Sequence, residues 1–157
     1  MVGAISYILV AALAALLLAA AIGDLRSRTI PNWLTAAVAL LSLGWWLVNG
    51  WALWPEIIVQ IGLALIVFLM FSAAFAFGWM GGGDVKLIAA LALWFPLPVL
   101  IEMLTVMALA GGALTLVTLA WHRWRKAEGN PEIPYGVAIV ASGFWVVTND
   151  ILTTSIS

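Results

Sequence analysis

The chain has 157 residues, of which 66% are hydrophobic and only 8% charged, with a mean hydropathy of +1.18. Soluble domains average about a quarter charged residues, and a soluble fold this small has too little interior to hide so much apolar surface. The composition therefore excludes an ordinary water-soluble globule, and a net charge of −1 gives no footing for nucleic acid. With no cysteine and a single histidine, His122, disulfides, thiolate chemistry and the common zinc sites are excluded as well.

Uncharged runs separated by charges or Gly/Pro breaks predict an all-α integral membrane bundle of about six transmembrane helices, organised as one transmembrane domain over residues 1–157. Val2 to Ile22 is charge-free and long enough to cross roughly 30 Å of hydrocarbon. No Lys or Arg precedes it, so it lacks the basic start of a cleaved signal peptide and reads as the first span. A break from Gly23 to Asn32 carries Asp24, Arg26, Arg28 and Pro31. The second run, Trp33 to Val48, ends in Asn49-Gly50 and a Trp-rich turn closed by Pro55. The third, Ile57 to Phe77, leads into Gly81-Gly82-Gly83-Asp84-Val85-Lys86. A short fourth run, Leu87 to Phe95, meets Pro96 and Pro98. The fifth goes from about Val99 to Trp121 and tolerates Glu102 near its start. After the polar stretch His122 to Glu132, the sixth covers Tyr135 to about Val147.

This order places Arg26 and Arg28 in the first connection, Lys86 beside the third, and Arg123, Arg125 and Lys126 in the fifth. All of the basic residues thus share one side, which the Lys/Arg bias of short loops marks as cytoplasmic, with both termini on the other side. Trp45, Trp46, Trp51, Trp54 and Trp94 fall near the predicted outer ends, and Trp33, Trp79, Trp121 and Trp124 near the inner ends. Such a distribution predicts interfacial anchoring.

Two acidic residues stand out. Asp24 closes the first span and Asp84 opens the fourth, both on the predicted cytoplasmic side. A charge at the centre of a bilayer costs about 2.5–3.5 kcal/mol on insertion scales, so an acid held at membrane depth needs a reason. From Asp84 to Phe95 a helix rises only roughly 18 Å at 1.5 Å per residue, which sets Asp84 below the cytoplasmic surface. The glycines before it permit irregular backbone and close helix approach. Two carboxylates brought within a few ångströms cannot both ionise easily and share a proton. One can then deprotonate a water while the other protonates a peptide carbonyl or a departing amine. The competing readings are an interfacial cap for Asp24 and a packing role for the glycines. Lys86 lies two residues along a helix from Asp84, so it faces away and reads as a snorkelling anchor.

Three segments are similar to blocks of one family. Asp24-Leu25-Arg26-Ser27-Arg28-Thr29-Ile30-Pro31-Asn32 is an acid followed by basic residues and Ile-Pro-Asn. Gly81-Gly82-Gly83-Asp84-Val85-Lys86 fits Gly-x-Gly-Asp-x-Lys, and Pro134-Tyr135-Gly136-Val137-Ala138-Ile139 fits Pro-Tyr-Gly-x-Ala-Ile. Together they resemble the type IV prepilin leader peptidases, membrane aspartic proteases of the GxGD type. The resemblance implies that Asp24 and Asp84 are the catalytic pair and that Gly81 and Gly83 shape the loop carrying the second. It implies as partner a prepilin or pilin-like precursor whose short basic leader is removed at the cytoplasmic face of the bacterial inner membrane, with no cofactor. Larger members carry a cysteine-bearing segment and methylate the new N-terminus. This chain has no cysteine, so the expected match is the short form associated with tight-adherence pili. Pro31-Asn32 and Pro134-Tyr135 are expected to start helices. The alternatives are a small ion or proton transporter or channel using the same aspartates, and a non-catalytic secretion subunit. No inverted repeat of broken helices favours transport.

Overall fold

A computed structural model describes residues 3–125, 133 and 135–152. It contains six α-helices: α1 (Ala4–Ser27), α2 (Asn32–Val48), α3 (Ile58–Ala76), α4 (Gly82–Ala92), α5 (Leu97–Trp124) and α6 (Tyr135–Val146). A π-helical turn over Leu53–Ile57 leads into α3, and another over Val147–Leu152 extends α6. There is no strand among the described residues. Three helical stretches, Ala4–Ser27, Leu53–Ala76 and Leu97–Trp124, are long and apolar enough to cross a membrane, while Asn32–Val48 and Tyr135–Asn149 are shorter. Lys126, most of the stretch up to Glu132, Pro134 and both chain ends lie outside the described residues.

The first helix runs past the predicted break. Nothing in Gly23-Asp24-Leu25-Arg26 bars a helix, so α1 continues until Arg28 adopts the left-handed conformation (φ 53°) and returns its N–H to the Asp24 carbonyl. Asp24 is thereby one turn inside the helix. It is also the next member of the buried stripe Val10, Leu13, Leu17, Ala20, which recurs every three or four residues. The start of α2 is as expected, with Pro31 as its N-cap and Asn32 its first residue.

The shortest helix is the most enclosed. α4 packs against α2, α3 and α6, and α1 against α2 and α6, while α5 rests chiefly on α6. Asp84, Leu87, Ile88 and Leu91 of α4 are all buried. Its 11 residues rise roughly 16 Å, about half of a hydrocarbon core. Its C-terminal end, the outer one in the predicted topology, therefore finishes inside the bundle, where its terminal carbonyls are buried away from solvent. Neighbouring side chains do so instead. Gln60 of α3 donates to Ala92 O and Phe95 O, and the Trp46 indole to Leu93 O. Trp94 itself donates to Val38 O of α2 at 2.9 Å. Trp45, Trp46 and Trp94 are consequently buried core residues and not the interfacial anchors predicted for them. Trp33, Trp54, Trp79, Trp121 and Trp124 are exposed, as a belt requires. Leucines such as Leu47, Leu65 and Leu109 also face outward, the surface of a protein that lies in lipid.

Candidate active site

The site is made where three helix ends meet. α1 ends there and α4 and α6 begin there, so two buried stripes each deliver an aspartate to one place. Asp24 is 5% exposed and Asp84 7%. Both line a cavity of about 190 Å³ together with Arg28, Thr29, Ile30 and Gly81 to Gly83. A water takes up about 30 Å³, so the space admits solvent beside the acids. The Asp24 carboxylate is close enough for its charge to bear on Asp84. One oxygen of each, Asp24 Oδ2 and Asp84 Oδ1, is buried without a hydrogen-bond partner. An unpaired buried acceptor costs about 1–3 kcal/mol, so two of them on side chains that line one cavity are kept against stability.

Asp84 is held by its own helix. As the third residue of α4 it reaches back to the N-cap, where Gly81 N–H donates to Asp84 Oδ2 at 3.2 Å. The glycines act by close approach rather than by the irregular backbone expected of them. Gly81 has an ordinary extended φ of −75°. Gly82 and Gly83 already belong to the first turn of α4, so the expected loop is a helix start. A Cβ at Gly83 would lie 3.0 Å from Ile30 Cβ and 3.2 Å from Ile30 N and O. The bare Gly83 lets α4 close onto the segment between α1 and α2. A Cβ at Gly81 would lie 3.0 Å from Asp84 Oδ2.

Asp24 is held by a residue to which the sequence assigned no role of its own, Gly136. The carboxylate lies against the first turn of α6, within reach of the N–H groups of Gly136 and Val137, with the Arg28 charge also acting on it. A Cβ at Gly136 would fall 2.8 Å from both Asp24 Cγ and Oδ2. Only glycine fits, because the carboxylate occupies the side-chain space of position 136. The start of α6 thus meets Asp24 with its backbone at Gly136 and Val137. Tyr135 begins α6 as expected.

Lys86 is exposed on the opposite side of α4 and donates to Asn32 Oδ1 at 2.8 Å, tying α4 to the start of α2. It does not line the cavity of the acids. Among the described residues no cluster of three or more His, Asp or Glu side chains stands where it could hold a metal ion.

The sequence model of the type IV leader peptidase family matches residues 11–116, more than half of the chain, and takes in both aspartates. It ends ahead of Gly136. No curated protein and no solved structure matches.

Proposed function

The chain belongs to the type IV leader peptidase family, and from that premise we propose that it is an aspartic endopeptidase of prepilin-like precursors with Asp24 and Asp84 as its catalytic pair. A leader peptidase acts on a precursor protein. The finer reading is that this precursor carries a short basic leader ahead of an apolar helix. It is cut at the cytoplasmic face of the bacterial inner membrane, the side to which the Lys/Arg distribution points, with both termini outside. The single observation that carries the reading is the pair of buried carboxylates lining one cavity with room for water, each with an oxygen that has no hydrogen-bond partner.

The chemistry follows from a proton shared by the pair. The ionised carboxylate removes a proton from a water in the cavity while the water oxygen bonds to the scissile carbonyl carbon. The protonated carboxyl passes its proton to the carbonyl oxygen, giving a neutral tetrahedral diol. The C–N bond then breaks as the amine takes a proton from the carboxyl that accepted one from water, and the diol returns a proton to its partner. Gly81 N–H and the start of α6 keep the two carboxylates from turning away from each other, which favours a productive geometry.

Reconstitution in liposomes with a prepilin-like precursor tests this. The unaltered protein should shorten the precursor, and Asp24→Asn and Asp84→Asn should each leave it full length. Cleavage surviving either change would overturn the assignment. An ion flux abolished by the same changes, with no cleavage by the unaltered protein, would favour the channel reading.

A further inference from the structure

A second cavity of about 520 Å³ opens sideways between α3 and α5, floored by α6, and is lined by Phe71, Met80, Ala108, Gly111, Gly112 and Tyr135 among others. Its size falls in the range of pockets that hold ligands. α5 leans on α6 and makes no substantial contact with α3, so the cleft is open to the surrounding lipid. We propose that this cleft receives the apolar segment of the precursor that follows its leader, as a helix packed against α5. The inference rests on the peptidase reading and extends it to how the substrate is held.

Three observations choose the occupant. First, the cleft adjoins the carboxylate site at two points of its lining. Met80 precedes Gly81, whose N–H binds Asp84, and Tyr135 precedes Gly136, which lies on Asp24. A chain seated there brings the residues just before its apolar segment to the acids. Second, α5 presents Ala108, Gly111, Gly112 and Thr115 toward the cleft at helical spacing. Small residues so spaced let a second helix approach closely. Gly111 already packs on Tyr135, but a Cβ at Gly112 would meet nothing within 4 Å. Glycine inside a helix costs about 1 kcal/mol relative to alanine, and no neighbour within the protein calls for its absence of side chain there. Third, another large groove among the described residues, about 550 Å³ between α2 and α3, has Lys86 and Asn32 in its lining. Lys86 repels a basic leader at that groove, whereas no charged residue lines the α3–α5 cleft.

The chain has no cysteine, which allows a direct test in liposomes. Gly112→Cys and, for the other groove, Ala39→Cys are placed singly in the Asp84→Asn protein. The probe is a synthetic precursor with a Lys-rich leader, about 20 apolar residues and one cysteine a turn into them. The disulfide adduct should form at Gly112→Cys at least about tenfold more than at Ala39→Cys. Equal adducts, or the reverse preference, would overturn the proposal. In the active protein, Gly112→Leu should raise KM for this precursor about tenfold with kcat kept, and an unchanged KM would overturn it too. Failure of the peptidase reading is separately visible, because the unaltered protein would then leave the precursor uncut.

Discussion

The two ends of α4 are built on opposite terms. At the outer end, Gln60 and Trp46 meet the carbonyls of Ala92, Leu93 and Phe95 deep in the bundle, and Trp94 finds Val38. At the inner end, a few turns away, Asp24 Oδ2 and Asp84 Oδ1 are as deeply buried and have no partner. One helix therefore has a satisfied end that holds it in place and an unsatisfied end held ready for something else. The difference separates stability from chemistry within 11 residues. Unpaired polar groups at the outer end would be a defect, whereas at the inner end they are the reactive surface that the proposed function requires.

Changes at the inner end should damage catalysis most. Gly136→Ala puts a methyl group into the space of the Asp24 carboxylate, and misplacing a reacting group by about 1 Å costs about 10²-fold in rate. The expected result is a kcat lowered by about that factor with KM little changed, read from steady-state cleavage of a precursor. A kcat within error of the unaltered protein would show that α6 does not set the position of Asp24. At the outer end the ranking reverses. Gln60→Leu strands the Ala92 and Phe95 carbonyls and should lower stability by about 1–3 kcal/mol, measured as a reduced thermal midpoint in detergent, while the folded protein keeps its specific activity. Lost activity at full stability would blur the division between the two ends. The smallest effect belongs to Lys86→Ala. It breaks an exposed link to Asn32 and should change stability by less than about 1 kcal/mol, with cleavage unaltered.

Much of the inner end was legible in the sequence. Asp24 and Asp84 interrupt apolar runs on the same predicted side, and the buried stripe of α1 reaches Asp24 in register. That periodicity also shows why the helix does not stop at Gly23. Gly136 was not legible as a site residue, because its reason is a contact with a helix end more than a hundred positions earlier in the chain. The only signal was a glycine directly after Tyr135, the first residue of the last helix. The tryptophans misled for a related reason. An indole near the end of a span reads as an anchor, but α4 ends so early that Trp46 and Trp94 are drawn inward as hydrogen-bond donors. The glycine triplet was read correctly as a place of close approach. Its backbone is an ordinary helix start, with Gly81 extended as the N-cap and Gly82 and Gly83 helical, and Ile30 and Phe75 pressing on Gly83 and Gly82 are reason enough for the missing side chains.

The most direct measurement is a double-mutant cycle on the two acids, following precursor cleavage in liposomes. Asp24→Asn and Asp84→Asn should each lower the rate about 10³-fold, and the double variant should fall no further than either one, because groups that act as a unit are lost together. Losses that multiply, or a single variant that still cleaves well, would mean that Asp24 and Asp84 do not share one reaction.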